Sequence, residues 1–287
     1  MGEGTKEIII PPNLFDYFDY REYLHDYYLH HKKKNVSYSY RLFARKAKLG
    51  SPNYLKLVVD GKRRITDRTL YQFARGLGLS RDEEKYFREL VMHQEVSDPD
   101  SKEQHLRSLL KYQEKQRTAT PLRSDKIKFL LDWHHSVIRE LVATKGFKED
   151  PVWLSKRLGN KITESQAKES LELLLRLNLV HRSHDGKLFQ REPLLTSSDE
   201  VPSHVIRGLH RTYLRKAITS IFSVPMEKRE MSGLIVSVPQ RRLKEVKEEI
   251  KEFRRKLNRK YGMDADGDDV YFIGLYLFPV THRGDAS

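Results

Sequence analysis

The stretch SPNYLKLVVDGKRRIT, residues 51–66, specifies the fold of the N-terminal third of this 287-residue chain. Ser51 is a favourable N-cap, and Pro52 suits the first position of a helix. Apolar residues then recur at helical spacing until Gly61, a residue type that commonly ends helices. Three consecutive cations follow, from Lys62 to Arg64. The pattern predicts a short capped helix that leads into a basic loop.

The preceding segment supplies a partner for this helix. Residues 39–48 have helical spacing, and the small residues Ala44 and Ala47 would let a second helix approach closely. Leu49 and Gly50 provide a tight turn between the two helices. A first helix with small residues, a tight turn and a capped second helix form a helix-turn-helix. We therefore predict a mainly α protein with an N-terminal helix-turn-helix bundle.

Polar and basic side chains at both ends of the predicted second helix suit contact with double-stranded DNA. In this motif, the N-terminal part of the second helix faces base edges, and nearby cations neutralise phosphates. The residues predicted to contact base edges are Asn53, Tyr54 and Lys56. The residues predicted to cap the helix or contact phosphates are Ser51, Arg45, Lys62, Arg63 and Arg64.

Residues 37–80 resemble the lambda-repressor-like helix-turn-helix family, whose pattern ends in GKR, T, TL, A and LG[LV]S in that order. The matching residues are Gly61-Lys62-Arg63, Thr66, Thr69-Leu70, Ala74 and Leu77-Gly78-Leu79-Ser80. Lys48 stands where that family has a turn glycine, and the segment before Leu55 is one residue longer. The resemblance implies a DNA-binding fold, with a displaced turn that changes the direction of the second helix.

The composition favours an anionic partner. The chain has 54 Lys and Arg against 40 Asp and Glu, a formal net charge of +14, and a pI near 9.6. Such an excess attracts nucleic acid or an acidic membrane surface, but it does not determine a fold. Cysteine is absent from the sequence, which excludes disulfides, thiol catalysis and cysteine-based zinc sites. This composition fits a reducing compartment.

The sequence carries no signal for export or for a membrane span. Residues 1–13 contain one short apolar run preceded by acidic residues, unlike a signal peptide. No window approaches the roughly 20 apolar residues of a spanning helix. We therefore expect a cytoplasmic protein with no membrane partner.

Tyrosine is concentrated near the N-terminus, where eight of the 15 tyrosines precede residue 55. In residues 17–31 aromatic side chains recur every three or four positions, which predicts a helix with one aromatic face. Tyrosines can stack on bases, but at this spacing they usually pack helix against helix. We favour helix packing over nucleic-acid contact for these side chains.

Composition breaks and turn signals divide the chain into four parts. Residues 1–96 form the predicted helical domain, and residues 97–123 form a connecting helix or partly ordered linker. Residues 124–200 form a second domain, and residues 201–287 form a small α+β module. The last module is predicted to dimerise or to bind an unknown protein or small-molecule effector.

The second domain has the element order of a winged helix. A helix capped by Asp150 is followed by a helix whose Thr163 and Gln166 form a capping-box pair. Asp185 and Gly186 then give a hairpin signal between two short strands. The secondary candidates for DNA contact are Lys161, Ser165, Lys168, Arg182 and Lys187. Winged helices also bind proteins, so both alternatives stay open for this domain.

The C-terminal module is predicted from a strand, a long helix and a second strand. The predicted strands are residues 232–239 and 270–280, and the helix spans residues 241–260. The helix has apolar residues at three- and four-residue spacing between charged ones. We interpret its charges as a solvated, partly paired face rather than a binding surface.

Several weaker patterns are interpreted as structural. Residues 264–269, DADGDD, resemble the start of a calcium loop, but the glycine is out of register and the twelfth position is Leu275. Adjacent histidines such as His134 and His135 point to different helix faces and cannot chelate one metal together. No catalytic motif or phosphate-binding glycine loop is present. We therefore expect no enzyme activity, no cofactor and no metal.

Over most of its length, the chain also resembles a family of uncharacterised bacterial proteins described as transcriptional regulators. The residues that carry this resemblance lie in four stretches, 15–28, 51–66, 86–91 and 270–281. The resemblance implies an arrangement of domains and supplies no ligand. We expect a homodimeric DNA-binding regulator, because two half-sites multiply the specificity of one short motif. The alternative is a signalling adaptor that keeps the fold without DNA binding.

Overall fold

The computed structural model describes residues 11–116, 121–191, 203–262 and 267–281. These residues are mainly helical and contain one two-stranded sheet, which confirms the predicted mainly α class. The backbone divides into two compact units, residues 1–124 and 125–287. No described helix is long and apolar enough to cross a membrane.

Residues 11–116 of the first unit form a 3-10 turn at Leu14–Asp16 and six helices. The helices are α1 (Tyr20–Lys34), α2 (Tyr40–Ala47), α3 (Tyr54–Val59), α4 (Asp67–Leu77), α5 (Arg81–Glu95) and α6 (Pro99–Gln116). Side-chain caps define several of the starts. The Asp19 carboxylate accepts from the amide of Arg21 at 2.6 Å, and Ser80 forms a capping box with Glu83.

The core of the first unit is aromatic. Its largest fully buried side chains include Tyr20, Phe43, Phe73, Tyr86 and Phe87. None of the eight tyrosines before residue 55 is fully exposed, and their rings contact one another and neighbouring phenylalanines. Five of the eight are buried, which confirms helix packing for Tyr20, Tyr23, Tyr27, Tyr38 and Tyr54.

Helix α6 lies in the segment predicted to be a connecting helix or linker. Leu106, Leu109 and Leu110 are buried, and α6 packs along α5. The Gln113 amide, also buried, donates to the carbonyl of Phe15 at 2.7 Å. These contacts make α6 part of the core of the first unit.

The second unit begins with four helices and a hairpin. The elements are α7 (Pro121–Leu131), α8 (Trp133–Leu141), α9 (Pro151–Arg157), α10 (Glu164–Arg176), β1 (Val180–Arg182) and β2 (Leu188–Gln190). The strands are antiparallel, with Val180 opposite Gln190, and the turn between them contains Gly186 at a φ of 84°. Leucines of α9 and α10 pack with Val180 and Leu188 in one apolar cluster. The predicted helix–helix–hairpin order is therefore present.

Two long helices follow, α11 (Ser203–Ser223) and α12 (Leu243–Tyr261). Short 3-10 turns lie between them at Met226–Lys228 and Gln240–Arg242. The strands predicted at residues 232–239 and 270–280 are not observed, because neither segment belongs to a β-ladder in the described chain. A strand requires a neighbouring strand to pair with, and neither segment pairs with another strand in the described part of the chain. The predicted α+β character of the C-terminal module is thus not seen there.

Candidate nucleic-acid interface

The connection between α2 and α3 is held by an unusual lysine conformation. Lys48 has a φ of 53° and a ψ of 42°, the left-handed region that usually favours glycine. The amide of Leu49 donates to the carbonyl of Ala44 at 2.8 Å, and that of Lys48 donates to Arg45 at 3.2 Å. This pair of bonds is a Schellman motif. Lys48 therefore ends α2 in the left-handed conformation without a glycine.

Side chains of helix α4 form hydrogen bonds with this turn. The Gln72 side-chain amide donates to the carbonyl of Lys48 at 2.7 Å, and the Arg75 guanidinium donates to the carbonyl of Ala47 at 2.8 Å. The last carbonyls of a helix have no partner within the helix itself. Two side chains of α4 thus satisfy the end of α2 and orient the chain that enters α3.

Helix α3 is shorter than predicted. It begins at Tyr54 rather than Pro52, and its N-cap residue Asn53 makes no side-chain capping bond. Ser51 lies in the turn before the helix and is half-buried, so the predicted capping role of Ser51 is not observed. Asn53 and Lys56 are exposed, which leaves these two predicted base-contacting side chains at the surface.

The prediction that Tyr54 contacts a base edge is corrected, because its side chain lies in the core. Tyr54 is only 6% exposed, and its ring packs edge-on against Phe73 with centroids 5.7 Å apart. Its hydroxyl donates to the carbonyl of Arg64 at 3.2 Å. A ring held in the core cannot reach a base edge. Tyr54 instead anchors the loop that follows α3.

Gly61 turns that basic loop back over α3. Its φ of 72° places it in the left-handed region, where glycine carries little steric cost. The amides of Lys62 and Arg63 then both donate to the carbonyl of Leu57, at 2.8 and 3.0 Å. The backbone of the basic loop is therefore fixed against the helix, and all three cations of the loop have exposed side chains.

The three cations of the loop differ in their contacts. The Arg63 guanidinium lies 4.1 Å from the centroid of the Tyr54 ring. Arg64 forms an ion pair with Glu95, with 3.2 Å between Nε and Oε2, although 76% of its side chain stays exposed. Lys62 is exposed, as is Arg45 on α2. Of the residues predicted to contact phosphates, Lys62 and Arg45 are therefore exposed and form no ion pair in the described chain.

Glu95 joins distant parts of the first unit. Its carboxylate accepts from the Tyr20 hydroxyl at 2.6 Å and from Arg21 at 3.0 Å, in addition to its contact with Arg64. Arg21 also donates to the carbonyl of Val58 at 3.2 Å. Through these bonds α1 and α5 hold the end of α3 and the basic loop in place.

The secondary candidates in the second unit are exposed, and most have acidic neighbours. Arg182 pairs with Glu149 at 2.5 Å, and Lys187 lies 3.3 Å from Asp185. The Ser165 hydroxyl donates to Glu169 at 2.8 Å. The two remaining candidates are the exposed Lys161 and Lys168. The local charge is therefore more balanced here than around α3.

The patterns interpreted as structural can be located only in part. In the described ranges, no group of three or more His, Cys, Asp or Glu side chains could hold a metal ion. Half of the DADGDD segment lies outside the described residues, and Asp269 within it pairs with Arg157 at 2.7 Å. His135 forms a buried hydrogen bond of 2.6 Å with the Ser170 hydroxyl.

Residues 113–280 match the family model described as "Domain of unknown function (DUF4423)". The match covers more than half of the 287 residues. The chain belongs to this family. No curated protein and no solved structure matches it. The DUF4423 region starts in α6 and includes the hairpin, α11 and α12, so the α2–α3 pair and the basic loop lie outside it.

Sequence reasoning missed the residues that position the candidate interface. Gln72, Arg75 and Glu95 all act on groups at least 24 positions away along the chain. No periodic or motif signal reports such contacts, because each depends on how the helices pack. The only indication of such contacts in the sequence was a polar residue on the apolar side of an amphipathic helix.

Proposed function

We propose that this protein is a homodimeric DNA-binding transcriptional regulator in which α2, the turn and α3 form a helix-turn-helix. The observation that carries the proposal is the basic loop at residues 62–64, fixed by backbone bonds to the end of α3 beside two exposed polar side chains. A rigid array of cations next to a short surface helix suits a groove flanked by phosphates.

The roles of the individual residues follow from their positions. Asn53 and Lys56 would face base edges, since they are the exposed members of the predicted set on α3. Lys62, Arg63 and Arg45 would contact phosphates and give a salt-dependent affinity. Tyr54 would act only indirectly, by supporting Arg63 and the backbone of Arg64.

The helix–helix–hairpin order of α9, α10, β1 and β2 supports a winged helix in the second unit. We propose that this winged helix assists the first unit rather than providing the main DNA contact. Three of its five candidate residues already interact with acidic neighbours. Such pairs reduce the net positive charge that a phosphate backbone would attract.

A second candidate function is a signalling adaptor that retains this fold without binding DNA. The engagement of Arg64 by Glu95 and of Arg63 by Tyr54 favours it, because both cations already have partners within the protein. Helix α3 also has only six residues, which limits the number of side chains that can enter a groove.

DNA binding tests the two candidates. Fluorescence anisotropy of labelled genomic fragments would be measured at about 50 and 200 mM salt, a range over which phosphate contacts lose much of their affinity. The double variant Arg45→Ala/Lys62→Ala is expected to bind more weakly on all fragments. Its plot of log affinity against log salt should be shallower by about two, one for each lost phosphate contact.

The matched control removes two exposed cations from α6, Lys111→Ala/Lys115→Ala. Helix α6 packs on α5 and the first 3-10 turn, away from the helices of the candidate interface. The control should leave both affinity and salt slope close to those of the parent protein. Absence of binding by the parent at low salt would favour the adaptor, and equal losses in both variants would refute this placement of the site.

A further inference from the structure

Helix α2 carries a row of three exposed cations along one side. Arg41, Arg45 and Lys48 follow one another at spacings of four and three residues, which places them on neighbouring turns of the same helix face. None of the three forms an ion pair with any residue that the structure describes. Carboxylates elsewhere in the first unit pair with Arg21, Arg64, Arg88 and Arg107. The charges of the row are therefore available to an anion outside the protein.

The charges of the first unit are segregated along the chain. Residues 27–64 contain eleven Lys and Arg but a single acidic residue, Asp60, whereas residues 81–103 contain eight acidic and four basic residues. The basic range includes α2, α3 and the basic loop, and the acidic range includes α5. Such an asymmetry orients a protein in the field of a charged partner, so that the side with α2 and α3 approaches a polyanion.

Lys48 has a backbone conformation that suits glycine better than lysine. Its φ of 53° lies in the left-handed region, where a Cβ atom carries a steric cost. The Gln72 side chain donates to the carbonyl of Lys48 at 2.7 Å, and the Lys48 side chain is exposed. Glycine would form the same turn with less strain. The fold thus requires this conformation at position 48 but gains nothing from the lysine side chain.

Arg41 is also unfavourable for the helix that contains it. It is the second residue of α2, near the end where the helix dipole is positive, and no acidic residue lies in that first turn. Arg45 follows four positions later, and like charges at this spacing repel each other. Arg41 and Lys48 therefore both reduce the stability of the free protein. Residues that do so are typical of binding sites, where function offsets the loss.

We propose that the row of Arg41, Arg45 and Lys48 binds backbone phosphates of duplex DNA and extends the contact of the basic loop along α2. The inference rests on the proposed function, in which Arg45 is already a phosphate contact, and adds Arg41 and Lys48 to it. Guanidinium and ammonium groups donate to phosphate oxygens whatever the base sequence. The row therefore raises affinity for all DNA and increases its salt dependence, while sequence preference stays with α3.

The surface of α2 favours DNA over an acidic membrane as the anionic partner. Helices that lie on membranes combine cations with exposed apolar side chains that enter the lipid. No large apolar side chain of α2 is exposed. Its apolar residues Phe43, Ala44 and Ala47 are buried inside the first unit. The row thus offers charge without an apolar surface, as a phosphate backbone requires.

The double variant Arg41→Gln/Lys48→Gly of the full chain tests the inference. Glycine relieves the left-handed strain, and glutamine removes the charge near the start of α2, so urea denaturation should show a variant at least as stable as the parent. Anisotropy with a labelled duplex should show weaker binding and a salt slope shallower by about two. Between about 50 and 200 mM salt, the parent should lose about tenfold more affinity than the variant.

The control Lys111→Gln/Lys115→Gln removes the same charge from exposed positions on α6 and should keep the salt slope of the parent. An α2 variant that binds with the affinity and slope of the parent would overturn the inference and leave the proposed function standing. A variant less stable than the parent would show that the two cations serve the fold, which also overturns it. A parent that binds no duplex at about 50 mM salt would refute the proposed function, and the inference with it.

Discussion

Gly76 lies where α4 approaches α2 most closely. A Cβ atom added to Gly76 would lie 2.6 Å from the Cβ of Ala47 and 3.2 Å from its Cα. These atoms cannot rotate away, so Gly76→Ala must separate the two helices. Overpacking of this kind costs about 1–3 kcal/mol, partly offset by about 1 kcal/mol of helix propensity. We expect urea denaturation to give an unfolding free energy lower by up to about 2 kcal/mol.

The matched substitution for Gly76→Ala is Gly50→Ala. Nothing lies within 4 Å of a Cβ built on Gly50, and its φ is not in the left-handed region. The free energy of unfolding should therefore change by less than about 0.5 kcal/mol. Equal effects of the two substitutions would show that the close approach of α4 to α2 is not what excludes a side chain at position 76.

His93 makes the stability of the first unit sensitive to acid. The ring is 2% exposed, and its Nδ1 donates to the carbonyl of Lys102 at 3.0 Å. Burial lowers the pKa of His93 to about 4, from an ordinary value of 6.5. The unfolded chain therefore takes up this proton at a higher pH than the folded chain does. Stability that is complete above pH 6.5 is lost as the pH falls toward 4, by about 3 kcal/mol from this group.

The contribution of His93 is measured by comparing variants between pH 7 and pH 4. In His93→Gln the free energy of unfolding should be lower at neutral pH and should fall less steeply with acid. His25→Gln provides the control, since it removes an exposed imidazole by the same substitution. Parallel curves for His93→Gln and the parent would show that the buried imidazole is not the source of the acid sensitivity.

At the scale of elements, Glu95 connects α1, α5 and the basic loop. Replacing Glu95 by Gln keeps the shape but removes the charge shared by Arg21 and Arg64. Hydrogen bonds to charged groups contribute about 1.5–3 kcal/mol, and the glutamine retains part of that bonding. We expect the free energy of unfolding to fall by about 1–2 kcal/mol. The less acidic surface and the released Arg64 should strengthen DNA binding at the same time.

The diagnostic result for Glu95→Gln is a lower free energy of unfolding together with a higher affinity for DNA. Both are measured on one preparation, by denaturation and by anisotropy. The exposed Glu114 on α6 offers a control, and Glu114→Gln removes the same charge outside the candidate interface. If affinity falls in Glu95→Gln, the carboxylate is needed to position the loop more than it restrains Arg64.

At the scale of the whole molecule, the backbone divides into two compact units at residue 124. The first unit has its own aromatic core, closed by α6, and the buried side chain of Gln113 bonds within it. Residues 1–124 expressed alone should therefore unfold in one cooperative transition. The fragment should also be monomeric, because it lacks residues 201–287, the module predicted to dimerise.

Circular dichroism and light scattering on the fragment check both parts of this expectation. Non-cooperative melting would mean that the first unit depends on the second for its stability. A dimeric fragment would place a self-association surface in the helices of the first unit. A shorter fragment, residues 1–96, removes α6 and exposes the apolar face of α5, so it should be markedly less stable.

Local spacing predicted helices at residues 17–31, 39–48 and 51–61 of the first unit, but it left residues 97–123 open between a connecting helix and a linker. The N-cap at Ser80 and the left-handed Gly78 before it act within one turn, and the apolar repeat of α4 is visible in any short window. The capping box at Thr163 and the turn at Gly186 are equally local and were both observed. Signals of this range depend on residues at most four positions apart.

Whether a side chain is buried or exposed could be determined only from the packed structure. Tyr54 follows exposed Asn53 directly, and no local pattern distinguishes a tyrosine that faces DNA from one that meets Phe73. The same holds for Arg64, whose partner Glu95 lies 31 positions along the chain. The predicted C-terminal strands are a third example. A strand needs a neighbouring strand to pair with, and the alternation of residues along the sequence does not show whether one is present.

Most helix positions and several caps and turns in this protein are visible in the sequence, because the side chains that cap a helix or form a turn lie within a few residues of each other. The support of the basic loop, the docking of α6 and the exposure of α12 follow from tertiary packing. Each of these depends on which surfaces meet after the helices have formed, and that outcome is a property of contacts between residues far apart in the chain.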